Sequence, residues 1–342
     1  MPKLVASLRM TRRGVRAWPA LLLLVLGAVG GCARSAPADA SLVLERTIAL
    51  QAVAGRIDHL AFDPKRGRLF IAELGNGSVE AVDLASGRSA GRITGLKEPQ
   101  GLAFLPDRDE LAVASGGDGA VRFYRGGDLA AAGWLSVGGD ADNLRVDAAS
   151  GRLVVGTGDG ALVTIDPAVR KIVAATPLPA HPEGFQLDGS RAYVNLPDAG
   201  EVAVVDLAAG RILARWPNPG LKWNFPLAID PADHAVAVVY RFPARLVLWR
   251  AASGQVLETL KVCGDADDLF FDAPRRRLYV VCGQGAVDVF TATAAGYART
   301  ERVQTRPGAR TGLFVPALDR LFVAARTGNG QDAAVLVFRP RP

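Results

Sequence analysis

Short apolar runs, each about one strand long, alternate along this chain with turns built from Asp, Pro and Gly, and the alternation itself repeats. Leu60-Ala61-Phe62 is followed by a turn at Asp63-Pro64 and then by Arg68-Leu69-Phe70-Ile71-Ala72. Leu269-Phe270-Phe271-Asp272 leads in the same way to Arg277-Leu278-Tyr279-Val280-Val281. The residue ahead of the second run falls at Arg68, Glu110, Arg152, Arg191, His234, Arg277 and Arg320, in steps of 42, 42, 39, 43, 43 and 43. Runs this short, with period-two alternation and Gly-rich punctuation, predict strands rather than helices. A period in the low forties predicts one propeller blade per repeat. The expected fold class is therefore all-β, a seven-bladed β-propeller with four antiparallel strands per blade.

Within a repeat the order is strand, turn, strand, Gly loop, strand, turn, strand. The third strand recurs as Val79 to Leu84, Val121-Arg122-Phe123-Tyr124, Leu162 to Asp166, Val202 to Asp206, Val247-Leu248-Trp249, Val287 to Phe290 and Val335 to Phe338. The last copy leaves the seventh blade without a fourth strand. A spare strand-like stretch, Leu42 to Leu50, precedes the first blade and is expected to supply it, closing the ring and removing an unpaired seam.

Tyr193-Val194-Asn195, followed by Val202-Ala203-Val204-Val205-Asp206 and Gly210, resembles the YVTN-type repeat of the YncE-like seven-bladed propellers. The resemblance covers about residues 42–338 and implies an exported bacterial propeller of the YVTN/lactonase-like class. It speaks for fold far more than for activity, because propellers carry many unrelated functions.

Residues 1–31 stand outside the repeat. Lys3, Arg9, Arg12, Arg13 and Arg16 precede an apolar run from Ala20 to Val29, which is the build of a secretory signal. Ordinary export fits the stretch after Arg12-Arg13 better than a twin-arginine route. Val29-Gly30-Gly31-Cys32 resembles a bacterial lipobox, in which Cys32 would be lipidated; plain cleavage is the alternative. Residues 32–41 then read as lipidated Cys and tether, and 42–342 as a single propeller domain. The expected location is the periplasm-facing envelope, at the outer membrane, held by the lipid alone.

Charge changes meaning once the leader is set aside. The chain carries +6, but residues 1–31 hold five basic and no acidic side chains, leaving 6 − 5 = +1 for the rest. The basic balance belongs to the signal and gives no argument for nucleic acid. Of three cysteines, Cys32 is assigned to the anchor. Cys263 and Cys282 are left as a disulfide candidate in an exported protein, with two reduced buried thiols as the alternative.

Candidate chemistry gathers where each innermost strand begins. Aligned repeats define windows 56–59, 98–101, 140–143, 181–184, 223–226, 265–268 and 309–312. These 28 positions hold eight acids, Asp58, Glu98, Asp140, Asp142, Glu183, Asp265, Asp267 and Asp268, where the chain-wide 34 in 342 would place about three. His59, Gln100, Asn143, His181, Asn224 and Arg310 share the windows. Asx turns at strand starts offer a purely structural account of such residues. A ring of dissimilar polar groups, however, suits a ligand site at the channel mouth formed by Asp58, His59, Gln100, Asp142, Asn143, Glu183, Asn224, Asp267, Asp268 and Arg310.

Asp142, Glu183, Asp267 and Asp268 are the expected ligands should a hard cation such as calcium or magnesium bind. Zinc is disfavoured because His59 and His181 lack tight ligand spacing. Arg241, Arg245 and Arg310, with Trp223 beside them, would offer the opposite charge. No nucleophile elbow, phosphate loop or dinucleotide fingerprint occurs. The function expected is a monomeric binding or scaffold propeller for a small-molecule ligand or an envelope protein. A metal-assisted hydrolase resembling propeller lactonases is the alternative.

Overall fold

A computed structural model describes residues 40–342 as seven four-stranded antiparallel sheets. The proposed leader, Cys32 and nearly all of the tether lie outside the described residues. In each of the first six blades the strands run inner to outer in chain order, as in blade one: Leu60–Asp63, Arg68–Glu73, Ser78–Asp83 and Arg88–Ile93. Blade seven takes three strands from the C-terminal end, Thr311–Val315, Arg320–Ala325 and Ala334–Pro340. Its outer strand is Leu42–Ala49, pairing antiparallel from Leu42 with Pro340 to Ala49 with Ala334. The ring is thus a seven-bladed β-propeller closed by the N-terminal strand of the described domain.

Burial follows position in the blade. Middle strands are covered on both faces by neighbouring blades, so they read as continuous apolar runs; Ala192 through Leu196 of Arg191–Leu196 are all buried. Outer strands face solvent on one side, and Lys171–Pro177 is exposed along most of its length. Aromatic residues bridge the blades: Phe70 stacks on Phe104 at 6.0 Å, and Tyr279 meets Phe314 edge-on at 5.4 Å. Each such ring, fully buried, contributes on the order of 1.5–3 kcal/mol.

Polar clamps repeat with the blades. In the turn after the first inner strand, Asp63 accepts the backbone N–H of Lys65 at 2.9 Å and pairs with Arg66 at 3.0 Å. The same guanidinium reaches Asp109 of the next blade, with Nη2 2.6 Å from Oδ2. Arg275 repeats the device between Asp272, at 3.0 Å, and Asp319, at 2.7 Å. Cys263 and Cys282 are joined by a disulfide with Cα atoms 5.9 Å apart. The link ties the segment leading into blade six to the end of that blade's second strand, where Cys282 faces Ala266 in the ladder. Among the described residues no helix is long and apolar enough to cross a membrane.

Candidate ligand site at the channel mouth

The innermost strands of the first six blades share one irregularity, and it builds the site. In a regular strand, neighbouring side chains point to opposite faces. Here two adjacent residues lie opposite one partner at the start of the strand. Asp58 donates its N–H to the Ala72 carbonyl at 2.8 Å, while the Ala72 N–H donates to the His59 carbonyl at 3.0 Å. Asn195 is shared in the same way by Glu183 and Gly184. The ladder also shifts register between Pro99 and Leu102, Ala141 and Leu144, Asn224 and Leu227, and Ala266 and Asp268. Such bulges re-aim side chains, so that consecutive residues such as Asp58-His59, Asp142-Asn143 and Asp267-Asp268 line the same cavity. Two glycines let adjacent bulges pack: a Cβ on Gly101 would lie 2.1 Å from the Asp142 carbonyl oxygen, and one on Gly184 2.4 Å from that of Phe225.

The cavity is lined by Arg56, Asp58, His59, Asp142, Asn143 and Glu183, with Arg145, Gln186, Phe225, Asp267 and Asp268 completing its polar and aromatic wall. Its free volume of about 40 Å³ is room for about three water-sized groups. Most carboxylates already have protein partners. Arg56 Nη2 lies 2.7 Å from Asp58 Oδ2. His59 sits between two acids, Nε2 3.7 Å from Asp58 Oδ1 and Nδ1 3.7 Å from Asp268 Oδ1. Asp268 Oδ2 accepts the backbone N–H of Gly312 at 2.7 Å. Asp267 pairs with Arg241 and, at 2.8 Å, with Arg310 Nε, while Arg241 lies over the Phe225 ring at 3.7 Å. Asp142, Glu183, Asp267 and Asp268 all line the cavity, but as a set their oxygens do not come within 4.8 Å of one another. What does converge is Asp142, His181 and Glu183, which offer one donor atom each, all within 4.8 Å of one another.

Protonation follows from this packing. Burial works against a charge on His59, yet Asp268, Asp58 and Asp142 outweigh it and take the imidazole up to about 10. Burial pushes Asp58 up to about 6 despite His59 and Arg56. Burial, then the Asp142 charge, pushes Glu183 up to about 7. Burial also opposes ionisation of Asp142, but His181 3.8 Å away, together with His59 and Arg56, holds it below the usual carboxylate range. The site at neutral pH thus combines a cationic His59, an ionised Asp142 and a Glu183 near its midpoint.

Several expected site residues lie elsewhere. Asn224 is fully buried in a network between blades, donating to Asn195 Oδ1 at 3.0 Å and the Glu201 carbonyl at 2.9 Å while accepting from Asn218 at 3.0 Å. Gln100 donates to Asp140 at 2.9 Å and does not line the cavity. Arg310 acts through its pairs with Asp267 and Asp265. Arg245 turns to the Ala244 carbonyl at 2.8 Å. Trp223 forms an exposed pair with Phe242, ring centres 5.9 Å apart. Conversely, Arg145 and Gln186 line the cavity from beyond the windows. The signal for Arg145 was present: it stands two residues after Asn143, on the same face once strand alternation resumes.

No family model matches this chain, and no curated protein matches its sequence. Solved structures do resemble it. A chain of Kuenenia stuttgartiensis hydrazine synthase aligns at 17% identity with a TM-score of 0.70, covering 85% of this chain and 98% of that one. A chain from a mitotic checkpoint complex aligns at 14% identity with a TM-score of 0.74, covering 98% and 99%. At these identities the likeness establishes the propeller fold and nothing about chemistry.

Proposed function

We propose that this chain is an exported, lipid-anchored propeller of the YVTN/YncE-like kind that binds a small polar ligand at its channel mouth. The leader pattern through Cys32 supports export and anchoring, and the Cys263–Cys282 disulfide agrees with an oxidising compartment. The observation that carries the binding reading is the cavity itself. Four blades converge unlike charged groups on about 40 Å³, and the amide oxygen of Asn143, a residue only 3% exposed, has no hydrogen-bond partner among the described residues. A buried acceptor without a partner costs about 1–3 kcal/mol, which a ligand donor or cation would recover. The volume limits the ligand, or the part of it that enters, to a few heavy atoms.

Native mass spectrometry of protein purified from its own envelope tests this. A bound small species, released when Asn143→Ala or Asp142→Asn is introduced, is expected. A cavity holding only water in every preparation, with no thermal response to small polar compounds, would overturn the reading. One observation favours a second reading, a metal-assisted hydrolase of the lactonase kind. Glu183 lines the cavity, and a carboxylate raised to about 7 would serve as a general base toward water near neutral pH. Turnover of simple lactones, abolished in Glu183→Gln, would favour that reading over binding alone.

A further inference from the structure

We infer that Asp142, His181 and Glu183 form a binding site for a first-row divalent transition ion of the zinc or cobalt type, rather than for calcium or magnesium. The inference rests on reading the cavity as a ligand site: Asp142 and Glu183 line it, and His181, outside its lining, brings a third donor within reach of both. Asp142 comes from the bulge of blade three, and His181 and Glu183 from the approach to the inner strand of blade four, two residues apart around Pro182. Their donor atoms, two carboxylate oxygens and one imidazole nitrogen, lie within 4.8 Å of one another. A tetrahedral ion at the usual distance of about 2.0–2.2 Å from each donor sets them about 3.4 Å apart; His181 Nε2 is already 3.8 Å from Asp142 Oδ2, and the set must draw in around the ion.

A second observation points the same way. Asn143 lines the same cavity, and its Nδ2 is turned toward Asp142 Oδ2 at 3.4 Å. Reversing the amide would set its oxygen against a carboxylate oxygen, so the charge on Asp142 holds the bare oxygen Oδ1 as the unpartnered acceptor. That oxygen is a further neutral donor for a cation.

The other acids of the cavity are accounted for by the protein's own cations and N–H groups. Asp58 has Arg56, Asp267 has Arg241 and Arg310, and Asp268 has Gly312 and His59. The Glu183 carboxylate has no hydrogen bond or ion pair among the described residues, and the charges acting on it are chiefly those of Asp142 and His181. The ion class follows from the donors. Calcium takes six to eight oxygens and magnesium keeps an oxygen octahedron, whereas an imidazole among carboxylates suits zinc and its neighbours.

Chelator-treated full-length protein titrated with Zn²⁺, Co²⁺, Ca²⁺ and Mg²⁺ tests the inference. One equivalent of Co²⁺ is expected to give visible d–d absorption bands, and Zn²⁺ to displace it and raise the melting temperature. His181→Ala and Glu183→Gln should each weaken Zn²⁺ binding at least tenfold, Asn143→Ala should weaken it less, and Asp319→Asn, in the Arg275 clamp outside the cavity, should leave it unchanged. Glu183→Gln keeps shape and volume, so its loss of binding is not a loss of fold. Equal uptake of Ca²⁺, binding indifferent to His181→Ala, or no ion bound at all would each overturn the assignment. If an organic species is found in the cavity while every metal fails, the inference falls and the binding propeller stands.

Discussion

The carboxylate of Asp268, on the inner strand of blade six, accepts the backbone N–H of Gly312, on the inner strand of blade seven, at 2.7 Å. This bond spends on architecture an acid that its sequence position marks as a metal ligand. Asp268→Ala should lower stability by about 1–3 kcal/mol, because it leaves a buried N–H without a partner. Asp268→Asn should cost less, since the amide oxygen can still accept. Urea denaturation of both variants decides the matter, and equal stability of the alanine variant and the wild type would refute the assignment.

The disulfide closes a loop with a sequence separation of 19. Chain entropy for a loop of that length gives roughly 3 kcal/mol of stabilisation. The double variant Cys263→Ser, Cys282→Ser should lose stability of that order and become insensitive to reductant. Both sulfurs are buried, so the native wild type should resist reduction until it unfolds. Complete alkylation of both residues in unreduced, denatured protein would rule out the bond.

His59 makes stability depend on alkaline pH. Its folded pKa, up to about 10, lies above the ordinary value of 6.5, with Asp268 the leading favourable charge against burial. A raised pKa means that the contribution is fully present below about pH 6.5 and fades as pH rises through about 10. Asp58 and Glu183, raised to about 6 and about 7, add a loss of the same sign at lower pH as they ionise. Melting temperature should therefore fall between pH 6.5 and 10, and His59→Gln should flatten the upper part of that slope. An unchanged slope in the variant would show that His59 is not charged in the fold.

The anchor proposal is tested at Cys32. Cys32→Ser should abolish lipid labelling and shift the protein from the membrane to the soluble fraction, with the melting curve of the propeller unchanged. Membrane association that persists in the variant would sink the proposal.

The architecture was legible because a propeller writes itself as a period. Each blade needs the same turn chemistry and the same apolar middle strands, so Arg68, Arg277 and Arg320 fall in equivalent places and the start of each strand can be counted off. Closure was legible for the same reason. A seventh repeat ending at Phe338 lacks an outer strand, and Leu42–Ala49 lies at the other end of the repeats to supply it.

The candidate site was legible only as a neighbourhood. Windows counted along the chain contain Asp58, His59, Asp142, Asn143, Glu183, Asp267 and Asp268, all of which line the cavity. They also contain Asn224 and Gln100, which do not. Blades two and five carry the same bulge, so entry is decided by partners: Gln100 is held by Asp140, and Asn224 by Asn195 and Asn218, and no local sequence signal marks this.

The partners were beyond reach for a different reason. Asp267 is claimed by Arg241 from blade five and Arg310 from blade seven, 26 and 43 residues away in sequence. His181 joins Asp142 across a blade boundary, so ligand spacing within one segment could not reveal it. Sequence by itself determined the repeat, the closure and the ring of polar positions, since these depend on local periodicity. Only the tertiary structure decided which acids are spent on arginines and backbone N–H groups and which remain for a ligand. That depends on the distance between charges brought together by different blades, and such distances are set by the packing of the closed ring.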